Sequence, residues 1–166
     1  MNSEISIALS SDRKFLTYTR VTIASILCHH RRNISFYLLH SGLSARDCQS
    51  LADMVAALGT HCRLVPLDQR GSVWKGFPTT KYLTEAAYYR LSLPSLLPNL
   101  DKVIYLDGDI LVLDDIQEVW DLDLSQVSCA AMKVYNHEHR FEALRGRECF
   151  NSGFMCFNLA RMREKH

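Results

Sequence analysis

A chain of 166 residues with 48% hydrophobic and 22% charged content can bury a core of its own, which sets aside a disordered chain and makes one domain the expected organisation. The formal net charge is +1 and the Lys and Arg residues are scattered, so nothing offers nucleic acid an electrostatic footprint. Six cysteines without a C-x-x-C pair, mostly inside apolar periodic stretches, read as reduced, buried thiols; residues 1–11 lack a secretory leader and no apolar run is long enough to span a bilayer, so the expected setting is the cytoplasm.

Residues 5–9 (ISIAL) alternate as a short strand, and polar residues 10–14 lead into a helix with a broad apolar stripe of Leu16, Val21, Ile23, Ala24, Leu27 and Cys28. Residues 34–39 form a second strand. Ser44 with Asp47 then caps a helix whose Leu51, Met54, Val55 and Leu58 fall at i, i+3, i+4 and i+7, and Gly59 stops it. Residues 62–65 are a third strand closed by Pro66. Strand and helix alternating at short spacing call for an α/β fold with a mostly parallel, helix-covered sheet. Residues 67–82, with Gly71, Gly76 and Pro78, read as a long loop of the kind that lines a site. A helix runs from Thr84 through Tyr88, Tyr89 and Arg90 to Leu93 and ends at Pro94. Residues 102–109 are the fourth strand and 110–113 its extended continuation. A short helix over 116–120, a strand over 127–134, a His-rich loop with a helix around 141–144, a strand over 154–158 and a helix starting at Leu159 complete the chain. A chain that stops as a helix begins reads as a domain incomplete at its C-terminus.

The segment Tyr105-Leu106-Asp107-Gly108-Asp109-Ile110-Leu111-Val112 carries the chemistry. In an extended chain side chains i and i+2 point the same way, so Asp107 and Asp109 converge on one hard cation, while Gly108 allows close approach of a ligand to the backbone. Carboxylates suit Mg²⁺ or Mn²⁺, and a metal held by only two of them keeps positions for substrate phosphates. The alternative is plain turn chemistry, for which Asp-Gly-Asp is well suited. The apolar run at 103–106 favours the metal reading, because a strand buried on both faces belongs to a parallel sheet and ligands gather at the carboxyl ends of such strands. Dinucleotide, P-loop, serine-hydrolase and zincin motifs are all missing. His137-Glu138-His139 reads as a solvated surface, and the sequon Asn33-Ile34-Ser35 as chance without a leader.

Four ordered motifs then resemble glycosyltransferase family eight: the strand, loop and helix over residues 5–27; Tyr88-Tyr89-Arg90-Leu91 leading to Leu96-Leu97-Pro98; the Asp-Gly-Asp segment with Trp120 after it; and Phe150-Asn151-Ser152-Gly153-Phe154. The resemblance implies a GT-A, Rossmann-like fold and a retaining transferase that moves a hexose from UDP-galactose or UDP-glucose to a glycan or lipopolysaccharide acceptor. It implies that Asp107 and Asp109 hold the Mn²⁺ or Mg²⁺ bridging the UDP phosphates, with Asp107 also near the ribose. Asp12 would accept a hydrogen bond from uracil and Phe15 would stack on it; read from the residues alone, these are a helix cap and a core ring. Arg90 would meet the sugar-phosphate, against a plain reading as a solvent-facing helix residue, and Asn151 with Ser152 would meet the sugar, against a turn before Gly153.

Lys14 and Lys133 depart from the family pattern, which leaves the sugar open. The family's third metal ligand, a His in a downstream H-x-x-G-x-x-K-P-W motif, has no counterpart in these residues. That implies weak metal affinity, little transfer by this chain alone and self-association through an uncovered apolar face; separately, the resemblance implies a cytoplasmic protein, with a peripheral place at the inner membrane face for a longer parent. No carboxylate pair stands out as nucleophile and base, so the implied mechanism is front-face, with the leaving phosphate helping to deprotonate the acceptor. Two alternatives remain: a haloacid-dehalogenase-like phosphatase, whose strand also ends in D-x-D with the first Asp as nucleophile, and a non-catalytic UDP-sugar-binding fragment.

Overall fold

A computed structural model describes residues 4–30, 32–80, 84–134 and 148–165. Strand β1 (Ile5–Ser11) is followed by α1 (Leu16–His29), β2 (Ile34–His40), α2 (Ala45–Leu58) and β3 (Arg63–Asp68). A 3-10 helix (Glu85–Ser92) then runs directly into α3 (Leu93–Leu96), and β4 (Lys102–Asp107), α4 (Gln117–Trp120), β5 (Cys129–Val134), β6 (Cys149–Asn158) and α5 (Leu159–Glu164) complete it. The six strands form one sheet in the order β3-β2-β1-β4-β6-β5. β1 is parallel to β2 and β4, and β2 to β3, whereas β6 is antiparallel to both β4 and β5. The sheet is thus parallel in one half and antiparallel in the other.

Alternation along the strands builds two cores. On one face Ile5, Ile7 and Leu9 of β1 and Ile104 and Leu106 of β4 pack on Ile23, Ile26 and Leu27 of α1 and Leu51 and Val55 of α2. On the other, Ala8, Val103 and Tyr105 meet Tyr89 of the 3-10 helix, Leu93 of α3 and Leu159 of α5. Each such side chain removed from water contributes roughly 1.5–3 kcal/mol before chain entropy is counted. The cap expected at Ser44 is present as a reciprocal box: Ser44 accepts from the Asp47 N–H, and the Asp47 carboxylate accepts from the Ser44 N–H. Such a box fixes where α2 begins.

Several sequence expectations need correction. Pro66 does not close β3 but lies inside it, opposite Leu38. β3 is an edge strand, so the N–H that proline lacks would have faced away from the ladder. Pro94 does not end a helix either: it sits in the first turn of α3, where its missing N–H would have had no helical partner. β4 stops at Asp107, and residues 108–113 carry no ladder; Ile110 and Val112 pack inward while Leu111 and Leu113 face solvent. Of the six thiols, all free, only Cys48 and Cys156 are buried, and Cys28 and Cys129 are exposed. Burial pushes the Cys156 thiol up to about 11. Among the described residues no helix is long and apolar enough to cross a membrane. His137-Glu138-His139 and the helix expected around 141–144 lie outside the described residues.

Candidate active site

The parallel register sets Ser10 of β1 beside Asp107 of β4, so the two strands end together. The loop after β1 and the turn after β4 therefore open on one cleft of about 130 Å³, lined by Ser10, Ser11, Asp12, Phe15, Thr84, Ala86, Ala87, Arg90, Tyr105, Asp107, Gly108 and Asp109. This is the crevice at the carboxyl ends of parallel strands where such sheets bind ligands.

Arg90 organises the site. Its side chain is 8% exposed, and its Nη2 donates to Asp107 Oδ1 over 3.0 Å. Nε donates to the Ala87 carbonyl at 2.7 Å, Nη1 donates to the Ser152 carbonyl, and the guanidinium carbon lies 4.4 Å from the centre of the Tyr105 ring. A buried guanidinium is tolerable only with its donors engaged, and here carboxylate, carbonyls and ring share them. The solvent-facing reading of Arg90 is overturned. The Tyr105 hydroxyl donates to the same Asp107 oxygen at 2.9 Å. Burial, and then the charge of Asp107, push the Tyr105 phenol well above its ordinary value, so it remains a donor.

Asp107 thus has one oxygen held by Arg90 and Tyr105, and its other oxygen lies against Gly153, where an added Cβ would come within 2.5 Å of it. Asp109 is exposed on the cleft rim. The two are not adjacent same-side positions of one strand, as the i, i+2 argument supposed: β4 ends at Asp107, and a turn carries Asp109 into the cleft. Gly108 also has another reason than ligand approach. A Cβ there would lie 2.5 Å from Thr19 Oγ1 and 3.2 Å from the Ser10 carbonyl oxygen, so its absence is what lets α1 pack against the turn. Among the described residues no group of three or more His, Cys, Asp or Glu side chains is set to hold a metal. Two hard carboxylates on one cleft nonetheless have the donor chemistry for a divalent cation whose other positions go to phosphate oxygens.

Asp12 lines the cleft and also accepts the N–H groups of Lys14 at 2.8 Å and Phe15 at 3.0 Å, so it shapes the turn into α1 from the cleft wall. Phe15 is 40% exposed at the cleft wall and is not a core ring. Asn151 and Ser152 do not line the cleft. Asn151 accepts the Gly153 N–H at 2.8 Å, and Ser152 contributes its carbonyl to Arg90. Both lie where β6 slips register against β5, Ala131 facing Met155 and Met132 facing Asn151, a bulge of the sort that re-aims backbone beside a site. The described part of the long loop, with Trp74 stacked on Tyr88 and donating to Ser92, also lies off the cleft lining. Lys133 pairs with Glu148 away from the cleft. Sequence reasoning missed Tyr105 and Thr84; the i, i+2 relation of Tyr105 to Asp107 in β4 was the available signal for the first.

Comparison with known proteins agrees with the geometry. The chain is 28% identical over 160 residues to glycosyltransferase GlyF of Streptococcus pneumoniae, covering 96% of this chain and 38% of that protein. It is 28% identical over 131 residues to a lipopolysaccharide 1,3-galactosyltransferase of Salmonella typhimurium, covering 78% and 38%. The galactosyltransferase LgtC, solved in complex with donor and acceptor sugar analogues, superposes with a TM-score of 0.83 at 26% identity over 96% of this chain and 60% of that one. The fold is therefore the GT-A fold of LgtC. The chain spans about half the length, or less, of the curated relatives it matches. Residues 6–166 match the family described as glycosyl transferase family 8, which sets the phosphatase alternative aside: this chain belongs to glycosyl transferase family 8.

Proposed function

We propose that this chain supplies the donor-sugar site of a glycosyltransferase that moves a hexose from a UDP-sugar, with retention of configuration, to a glycan acceptor such as a lipopolysaccharide core. The observation that carries the reading is the Arg90–Asp107–Tyr105 cluster set beside exposed Asp109, in a cleft at the carboxyl ends of β1 and β4. Asp12 and Phe15 form the wall suited to a base, one by hydrogen bonding and one by stacking. Asp107 and Asp109 would hold Mn²⁺ or Mg²⁺. When bound, such an ion would supply positive charge against the departing diphosphate. Arg90 fixes the Asp107 carboxylate and ties the Ser152 carbonyl and Gly153 beside it; in this reading the Asn151–Gly153 segment, which lies outside the cleft lining, would act on the sugar only through Asp107. The acidic residues of the cleft are Asp12, Asp107 and Asp109, and with Asp12 given to the base and the other two to the cation, none is left over as a nucleophile, which suits a front-face mechanism.

The test is calorimetry of the full chain with UDP, UDP-glucose and UDP-galactose, each with and without Mn²⁺. Metal-dependent binding is expected, with Asp109→Ala removing most of the metal dependence while the protein stays folded, since a rim carboxylate carries little of the core. Equal binding with and without metal would remove the role given to Asp107 and Asp109. An Asp109→Ala chain that unfolds would make that residue structural.

A further inference from the structure

Three hydroxyl side chains of α1 lie in its buried face: Thr19 at 0% exposure, Thr22 at 1% and Ser25 at 9%. They recur every third residue and so share one side of the helix. Serine and threonine are indifferent helix formers, and a buried hydroxyl costs stability unless it is bonded, so Ala or Val would serve a purely apolar interface better. Each of these hydroxyls is bonded, and each leads to the segment around the Asp-Gly-Asp turn. Thr19 Oγ1 lies 2.8 Å from Ser11 Oγ, at the end of β1, and fills the space left by the missing Cβ of Gly108. Thr22 Oγ1 donates to the Gly108 carbonyl at 3.0 Å. The Val112 N–H donates to Ser25 Oγ at 3.0 Å, and Ser25 in turn donates to the Thr22 carbonyl at 2.8 Å. Just past the helix end, His30 Nδ1 lies 2.5 Å from Asp115 Oδ1.

The segment that leaves β4 has no strand partner, and α1 takes the partner's place. Gly108 is tied by its carbonyl and Val112 by its N–H, which leaves only Asp109, Ile110 and Leu111 between the two anchors. We propose that Thr22 and Ser25 are positioning residues for Asp109: their hydroxyls set the backbone of the turn and thereby aim its carboxylate into the cleft before any ligand arrives. The inference rests on the donor-site reading of Asp107 and Asp109 and adds to it the groups that hold the second carboxylate in place. A carboxylate already aimed loses less freedom on meeting a cation, and this is the physical gain of preorganisation.

The variants are Thr22→Val, which exchanges the hydroxyl for a methyl at constant shape, and Ser25→Ala, with Thr22→Ser as the conservative control. The quantity read is the ratio of UDP dissociation constants without and with Mn²⁺, measured by calorimetry on the full chain. Loss of one ordinary hydrogen bond in the support predicts that this ratio falls about fivefold in Thr22→Val and in Ser25→Ala, and that Thr22→Ser retains it. A merely structural role would lower the melting temperature of the variants and leave the ratio at its wild-type value, and that result overturns the proposal. Amide hydrogen exchange of residues 108–113, followed without metal, is expected to quicken in both variants, and unchanged exchange there also overturns it. If Thr22→Val does not fold, Ser25→Ala decides, because its hydroxyl is the less buried of the two. If the wild-type chain shows no metal dependence at all, the donor-site reading fails and this inference falls with it. Metal dependence in the wild type with unchanged ratios in the variants sinks the positioning role alone.

Discussion

At Arg90 one side chain ties three parts of the chain together: the 3-10 helix through Ala87, β4 through Asp107 and the β6 bulge through Ser152. Only a planar fork can reach all three at once. Arg90→Lys keeps the charge but reaches at most part of this set, and the lost charge-assisted bond corresponds to roughly 1.5–3 kcal/mol. A weaker UDP-hexose affinity and a lower melting temperature are both expected, measured by titration and calorimetric scanning; unchanged affinity would place Arg90 in a structural role only. Tyr105 gives a prediction in pH. Its phenol holds its proton more tightly folded than unfolded, because burial and then Asp107 raise its pKa above the ordinary value of 10.0. The stability linked to it is fully present below pH 10 and is lost as pH rises through the raised folded value. Melting curves taken from neutral pH to pH 11 should therefore fall above pH 10, and the fall should be shallower in Tyr105→Phe. Equal slopes in the two proteins would show that the tyrosine is not the linked group.

At the scale of elements, the turn after β4 and the helix α1 are fitted to each other through Gly108. An alanine there would set its Cβ 2.5 Å from Thr19 Oγ1, on a side chain that is fully buried and bonded to Ser11. Gly108→Ala should cost about 1–3 kcal/mol by overpacking. Adding Thr19→Ala should recover part of that loss, a non-additive pair in denaturant unfolding; strict additivity would mean that the strain is taken up elsewhere. This fit was not legible in the sequence, where Gly108 reads equally well as a turn residue or as room for a ligand. What was legible followed from local rules: the capping box at Ser44, the apolar run of β4, and the alternation of strand and helix through residue 65. The strands that were misjudged depend on partners far away in sequence. Pro66 is acceptable because β3 has a neighbour on only one side, and the β6 bulge beside the Ser152 carbonyl that Arg90 holds exists only against β5. Asp107 and Asp109 were legible as a cleft pair, but the reason given for their convergence was wrong. The turn aims Asp109, and α1 holds the turn.

For the molecule as a whole, the cleft at the ends of β1 and β4 adjoins the seam between the two halves of the sheet, which runs between β4 and β6. β1 and β4 are the parallel side, packed on both faces, and β6 with its bulge is the antiparallel side. Asp107 belongs to the first half, and the Ser152 carbonyl and Gly153 to the second, with Arg90 spanning the seam. A ligand that engages Asp107 therefore touches groups whose arrangement exists only when both halves are folded and joined, and the unfolded chain has nothing to offer it. Binding to the native state alone adds about 2.7 kcal/mol of stability when the free ligand stands at a hundred times its dissociation constant. For a chain of this size each kcal/mol raises the melting temperature by about 2–4 °C, so UDP with Mn²⁺ at that excess should raise it by about 5–10 °C. Asp107→Asn should abolish most of the further rise that Mn²⁺ adds to that of UDP alone, because it removes the carboxylate charge and disturbs the oxygen that Arg90 and Tyr105 share. The comparison must be made at equal excess over each protein's own dissociation constant for UDP alone, so that only the metal-linked part differs. An Mn²⁺-dependent increment of equal size in the variant would mean that metal stabilises the fold without passing through Asp107, and the cleft between β1 and β4 would then not be the donor site.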